Sequence, residues 1–301
     1  MKTRIAIIIP VFNALNHTIK CLGSLDRLIK EPGLEQTFSI VVIDDGSSDG
    51  TSAWINDNYP EIIVLHGDGN LWWSGGINKG TKYAISELRA DYILWWNNDV
   101  IPEEQYFQKL KSIVDTSNVI IGGSKIYFAH NPNIVWSMGG VFDTNNGRKY
   151  MIGMGEQDNQ SLMKKKSVDW LPGMGTIIHK SVFTKIGFVD ETNFPQYHGD
   201  SDFTFRAKLA GYEIIVYPDL KLWNDKSNSG LMHQNSFSRL LKTLHDNKSN
   251  YHLGKDLHFY KKYATSNRAY QTLVHKYCYY IGGFLKWKML SLLGIPKKES
   301  L

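Results

Sequence analysis

Ser39-Ile40-Val41-Val42-Ile43-Asp44-Asp45-Gly46-Ser47-Ser48-Asp49-Gly50-Thr51 joins an apolar run to a polar loop. Ser39 to Ile43 reads as a buried strand, because a run apolar at nearly every position suits a sheet covered on both faces. It stops on two adjacent carboxylates. Asp49 suits the N-cap of a following helix, Asp49 to Asn58. Capping accounts for Asp49 and leaves Asp44 and Asp45 unexplained. On this segment alone, a plain loop and a functional loop both stay open.

Reading outward toward the N-terminus, Arg4 to Phe12 is a second run of the same kind, through Ile5-Ala6-Ile7-Ile8-Ile9 to Pro10. Asn16 to Leu28 reads as a helix with Ile19, Leu22, Leu25 and Leu28 on one face. Toward the C-terminus follow a strand, Ile62 to His66, and a helix, Gly76 to Leu88. A strand, Asp91 to Trp96, then runs into Asn97-Asn98-Asp99. A helix, Glu103 to Val114, and a strand, Val119 to Gly122, complete the series. This alternation predicts βαβ units and an α/β fold with a Rossmann-like, mainly parallel sheet flanked by helices. Ligands bind such sheets at the carboxyl ends of the strands. Phe12-Asn13, Asp44 to Ser47 and Asn97 to Asp99 all stand there, as one polar rim.

After residue 122 the pattern changes. Residues 123–170 are rich in Gly, Asn and aromatics, with short β-like pieces such as Ile134 to Met138. Trp170 to His179 has strand character. Lys180 to Ile186 and Ser201 to Ala210 read as helices, and Glu213 to Tyr217 as a strand. From Ser236 the chain is helical in character, interrupted near Gly254 and Gly282-Gly283. There is no internal repeat.

Of 301 residues, 42% are hydrophobic and 21% charged, which excludes a disordered chain. No apolar run approaches the ~18–20 residues of a membrane span. Met1 to Asn13 lacks a small-residue cleavage site and reads as a strand, not a signal peptide. Cys21 and Cys278 form no metal or redox motif and point to a reducing, cytoplasmic setting. Residues 231–301 hold twelve Lys/Arg and three Asp/Glu, a net +9, so the preceding 230 residues carry −4 of the chain's +5. This divides the chain into a body, 1–230, and a basic helical extension, 231–301. A body without basic excess argues against general nucleic-acid binding.

Five blocks in order carry a resemblance: Ile7 to Asn13 (IIIPVFN), Val41 to Thr51 (VVIDDGSSDGT), Asn70 to Gly80 (NLWWSGGINKG), Leu94 to Val100 (LWWNNDV), and the set WLPGMGTIIH, IGFVD and YHGDSDFTFR between Trp170 and Arg206. Together they resemble family 2 glycosyltransferases, inverting enzymes of GT-A fold, nearest the rhamnosyltransferase-like group that builds bacterial cell-surface polysaccharides. The resemblance spans about residues 4–230. It implies a UDP- or dTDP-linked nucleotide-sugar donor and a glycan or lipid-linked saccharide acceptor. By match, Pro10, Val11, Phe12, Asn13 and Asp45, with Asp44 beside them, hold base and ribose; a carboxylate can accept a pyrimidine N3–H. The segment with Gly75, Gly76 and Asn78, Gly75 to Gly80, suits close backbone approach to the donor, with a helix-starting turn as the plainer alternative.

Asn97, Asn98 and Asp99 match the family's acidic metal-binding triplet, which implies Mg²⁺ or Mn²⁺ on the donor diphosphate with Asp99 as main ligand. The first position is Asn97, which brings no charge. Asp200 matches the general base, and Gly199 stands where a Glu is common. Asp202 and Arg206 suit an i,i+4 pair. Some relatives carry a His after the last strand, whereas this chain reads Leu222-Trp223-Asn224-Asp225; His233 is not carried over. Trp95 reads as core. Trp72, Trp73 and Trp170 are candidates for sugar stacking, with core packing as the plainer reading. Two other functions fit less well. A nucleotidyltransferase needs a Gly-rich basic loop after strand one, and Pro10 to Asn16 has neither Gly nor Lys/Arg. A non-catalytic carbohydrate-binding or assembly subunit of the same fold is kept alive by Asn97 and Gly199. Lys276 to Lys298 mixes aromatics and leucines with lysines, suiting either a helix packed on the body or peripheral contact with the inner face of the cell membrane. Oligomeric state carries no signal.

Overall fold

The computed structural model describes residues 3–117, 120–225 and 236–293. Its first half alternates β1 (Ile5–Val11), α1 (Leu15–Ile29), β2 (Phe38–Asp44), α2 (Thr51–Asn58), β3 (Ile63–His66), α3 (Trp72–Ser86) and β4 (Tyr92–Trp95). Then come β5 (Val100–Pro102), α4 (Tyr106–Thr116), β6 (Ile121–Phe128), β7 (Asn131–Ser137), β8 (Gly140–Phe142), β9 (Lys149–Met151) and β10 (Lys166–Ser167). The series closes with β11 (Thr176–His179), α5 (Lys180–Ile186), α6 (Gly199–Leu209), β12 (Ile214–Asn224), α7 (Phe237–His245), α8 (Leu253–Tyr263) and α9 (Asn267–Leu292).

One sheet runs β10-β12-β6-β11-β4-β1-β2-β3, with β5 added on β12 and β7 on β6. β4, β1, β2 and β3 are mutually parallel, as are β6 and β12; β11 lies antiparallel between β4 and β6. The run in β1 is apolar throughout because both faces are covered. Ile5, Ile7, Ile9 and Val11 pack with Leu22, Leu25 and Leu28 of α1 and Phe107 and Leu110 of α4. Ala6 and Ile8 pack with Ile77 and Ala84 of α3, Phe183 of α5 and Phe203 of α6. α1 and α2 thus cover one face and α3 the other. After β3 the chain changes face and returns to the far side of β1, so the carboxyl ends of β1 and β4 lie at the reversal of strand order where such sheets bind ligands.

Several boundaries differ from the sequence reading. α3 begins at Trp72 rather than Gly76, because Asp45 accepts the Trp72 N–H at 2.9 Å and starts the helix from another strand. Residues 100–102 pair with β12, which delays α4 to Tyr106. Within Trp170 to His179 only the last four residues are strand, where they meet β4 and β6. α9 passes through Gly282-Gly283 unbroken. Val119, His233 and the expected division between residues 230 and 231 lie outside the described residues.

Contacts cluster into two units: residues 3–141 with 150–225, and residues 142–149 with 236–293. In the second, the 142–149 loop is held by helices. The Tyr260 hydroxyl donates to the Gly147 carbonyl at 2.5 Å and Thr272 to that of Asn146 at 2.6 Å, while Phe142 meets Phe259 edge-on. Buried Asp256 of α8 accepts from Lys276 and Tyr277 of α9 at 2.5 and 2.6 Å. Among the described residues no helix is long and apolar enough to cross a membrane.

Candidate functional site

The rim forms where β1, β2 and β4 end side by side. Asn13 sits in the left-handed region, at φ 46°, directly after β1. Its N–H donates to Ser47 Oγ and its Oδ1 accepts the Ser48 N–H, both at 2.8 Å. Asp49 accepts the Leu15 N–H at 2.8 Å and the Thr51 hydroxyl at 2.6 Å. The N-cap of α2 is Gly50, so Asp49 is not the simple cap expected; it serves the first residues of two helices. These bonds lock together the loops after β1 and β2. Phe12 beside them is half exposed, whereas Val11 is buried.

Asp44 and Asp45 are both buried. Asp44 accepts the Ser47 N–H at 2.9 Å and the Ser52 hydroxyl. Asp45 accepts the N–H groups of Gly69 and Trp72, each at 2.9 Å, and so shapes the loop that precedes α3. Each carboxylate oxygen has a further lone pair for another donor.

Trp73 connects this region to the next strand end. Its indole N–H donates to Asn97 Oδ1 at 3.0 Å. Its ring leans on Gly173, where a Cβ would meet Trp73 Cζ2 at 2.1 Å. The Gly173 N–H in turn donates to Asp200 Oδ2 at 2.8 Å, and the Ser201 N–H to Asp200 Oδ1 at 2.7 Å. Asp45, Asn97 and Asp200, distant in sequence, are therefore linked by one short series of contacts through Trp72, Trp73 and Gly173. Gly199, beside Asp200, has no room for a side chain: a Cβ would meet Ser74 Oγ at 2.2 Å and Val189 Cγ1 at 3.0 Å. Packing against α3 explains why no Glu stands there.

Asp99 is a perturbed carboxylate beyond the end of β4. Burial pushes its carboxyl up to about 6; its own backbone N–H and His17 pull it down, and Asp225 pushes it up further. Its Oδ1 is buried with no hydrogen-bond partner. Its carbonyl accepts the Asp225 N–H at 2.9 Å. Among the described residues no three His, Cys, Asp or Glu side chains are grouped to hold a metal alone. One or two carboxylates completed by phosphate oxygens is nevertheless how Mg²⁺ is commonly held, so Asp99 and Asp225 fit a divalent ion shared with a diphosphate. Asn97 is occupied by the indole, and Asn98 donates to Thr18 Oγ1 at 3.1 Å.

The three α3 candidates, Gly75, Gly76 and Asn78, make these contacts within the protein. Asn78 is buried, with its Oδ1 accepting the Val189 N–H at 3.0 Å and its Nδ2 donating to the Val189 carbonyl at 2.8 Å and Glu191 at 2.6 Å. It holds the 189–191 loop. Gly76 lets the helix lie on Pro10, 3.0 Å from where its Cβ would stand, and Gly75 faces Leu71. Trp95 is core, as expected, and so is Trp170, buried against Gly140; that removes Trp170 as a stacking platform. Asp202 and Arg206 pair at 2.9 Å, as read from their spacing. Sequence reasoning missed Trp73 to Asn97 as a hydrogen bond, Gly173 as the donor to Asp200, and Asp225 beside Asp99; no local pattern signals contacts between residues so far apart.

Comparison with known proteins bears on the family and the fold. The sequence profile described as "Glycosyl transferase family 2" matches residues 6–187. The low-salt glycan biosynthesis hexosyltransferase Agl10 of Haloferax volcanii is 28% identical over 180 residues, covering 58% of this chain and 54% of that protein. The dTDP-rhamnosyl transferase RfbF of Shigella flexneri is 23% identical over 218 residues, 71% of this chain and 68% of that one. The chain spans about half the length of the first curated relatives it matches. Similar folds include S. aureus TarS 1-349 in complex with UDP (TM-score 0.52, 18% identity, 74% of this chain and 60% of that one). They also include GalNAc-T7 with UDP, GalNAc and Mn²⁺ (TM-score 0.58, 11% identity, 74% of this chain and 44% of that one). The sheet and helices are thus those of the GT-A fold.

Proposed function

The chain belongs to glycosyl transferase family 2, and from that premise we propose that it moves a sugar, with inversion, from a UDP- or dTDP-linked donor to a glycan or lipid-linked saccharide in cell-surface polysaccharide synthesis. The carrying observation is the series of contacts from Asp45 through Trp72, Trp73 and Gly173 to Asp200. The names of the Haloferax and Shigella relatives, both hexose or deoxyhexose transferases, support the class of donor.

Base and ribose lie on Pro10, Val11, Phe12, Asn13 and Asp45, with Asp44 behind them. The diphosphate lies above Asn97 to Asp99. Mg²⁺ or Mn²⁺, held by Asp99 with Asp225 beside it and by the diphosphate, would offset the negative charge of the leaving group. Asp200 takes the proton of the acceptor hydroxyl. The hydroxyl oxygen bonds to the anomeric carbon from the face opposite the diphosphate, as the bond from that carbon to the phosphate oxygen breaks. Two backbone N–H groups hold the Asp200 carboxylate in one orientation, which lowers the entropy lost in reaching the attack geometry. The acceptor is met at the inner face of the membrane, with the basic helical unit as the point of contact.

The test is product formation from a panel of UDP- and dTDP-sugars. Asp200→Asn is expected to lower transfer by about 10²- to 10⁴-fold with nucleotide binding retained. Transfer at the wild-type rate in that variant removes Asp200 from the mechanism. Nucleotide binding without turnover of any donor would favour the non-catalytic subunit instead.

A further inference from the structure

α9 carries two apolar faces. Ala269, Leu273, Tyr277 and Phe284 are buried within the second unit. A second row is exposed: Val274 (58%), Cys278, Leu285 (45%), Met289 (65%) and Leu292 (82%). Spacings of four, seven, four and three residues place them on one line of the helix. At 1.5 Å per residue the row is about 27 Å long. Lys286 and Lys288, both exposed, fall on opposite sides of it. Residues 236–293 contain ten Lys/Arg and two Asp, a net +8. The helix is not apolar enough to cross a bilayer.

We propose that this row is a docking surface for anionic lipid: α9 lies in the plane of the membrane, with its row of apolar side chains among the upper acyl chains and its flanking lysines at phosphate groups. Charge selects this occupant over a second copy of the chain. Two copies meeting through the row would bring two +8 units and two pairs of lysines together, whereas an anionic surface neutralises them. The proposal deepens the membrane placement in the preceding reading and uses none of its chemistry, so it is tested without donor or acceptor.

The experiment is co-sedimentation of the full chain with vesicles of phosphatidylcholine alone or with about a third phosphatidylglycerol. Binding is expected to the anionic vesicles and to weaken with added salt. A Leu285→Ser, Met289→Ser, Leu292→Ser variant is expected to bind at least about tenfold more weakly, because bound-state apolar burial is lost. A Lys286→Gln, Lys288→Gln variant is expected to lose about tenfold as well. Tyr279→Ser changes a residue 88% exposed but about a third of a turn away from the row, and is expected to change binding less than about twofold. Circular dichroism checks that each variant keeps its helices. Equal binding to neutral and anionic vesicles overturns the proposal, as does undiminished binding by the triple variant. Failure to bind vesicles, together with a dimer in sedimentation that the triple variant breaks, would assign the row to a second copy.

Discussion

Trp73 donates its indole N–H to Asn97 while its ring leans on Gly173, so one side chain touches both the polar rim and the support of Asp200. A single hydrogen bond of this kind contributes about 0.5–1.5 kcal/mol. Trp73→Phe keeps most of the ring and loses the donor; the expected result is a fall of about tenfold in kcat with the donor KM changed less than about twofold. Asn97→Asp keeps an acceptor for the indole and adds charge near Asp99. It is expected to retain transfer and tighten Mn²⁺-dependent UDP binding, read by calorimetric titration. If both variants lose transfer equally, the oxygen of Asn97 has a role other than accepting the indole. Gly199 shows the same dependence on a neighbour, since Ser74 Oγ occupies the space a side chain would need.

The next scale is that of elements held by buried charge. Arg206 of α6 pairs with fully buried Asp202 and donates to the carbonyls of Ile186 and Phe188, both at 2.7 Å, so the helix grips the loop after α5. Arg206→Ala removes the cation facing a buried carboxylate and is expected to cost about 3–5 kcal/mol, read from the denaturant midpoint. Asp158 braces β6 in a similar way, accepting from buried Lys125 and, at 2.6 Å, from the Tyr127 hydroxyl. Burial opposes its ionisation, but Lys125 and Tyr127 outweigh that and hold its carboxyl below the ordinary carboxylate value. A folded value below the unfolded one stabilises the protein above about pH 4, and that contribution is lost as pH falls through the lower folded value. The denaturant midpoint is expected to drop below about pH 4, and Asp158→Asn to flatten that drop.

For the whole molecule, ligand linkage separates the two units. A nucleotide that binds only the folded cleft stabilises by about 2.7 kcal/mol at a hundred times its Kd. With UDP and Mn²⁺ the thermal shift is expected in the unfolding of residues 3–141 with 150–225. Asp99→Ala is expected to abolish the part of the shift that depends on Mn²⁺. A shift of equal size with and without Mn²⁺ in the wild-type chain would argue against a metal at Asp99. The 142–149 loop belongs with the helices of the second unit, held there through Gly147 and Asn146.

What was legible in the sequence was what local periodicity carries. Unbroken apolar runs through Ile5 to Ile9 and Ile40 to Ile43 announced strands covered on both faces, and polar residues after each announced the rim. Five short blocks in order identified the family. The i,i+4 pair of Asp202 and Arg206 was also visible, because helical spacing sets it. Only the tertiary structure decided which candidate residues are engaged in holding the frame. Asn78 turned to the 189–191 loop, Trp170 entered the core, and Asp225 came beside Asp99. Those outcomes depend on contacts between residues dozens of positions apart, whose formation follows from helix-on-sheet packing and leaves no periodic trace along the chain.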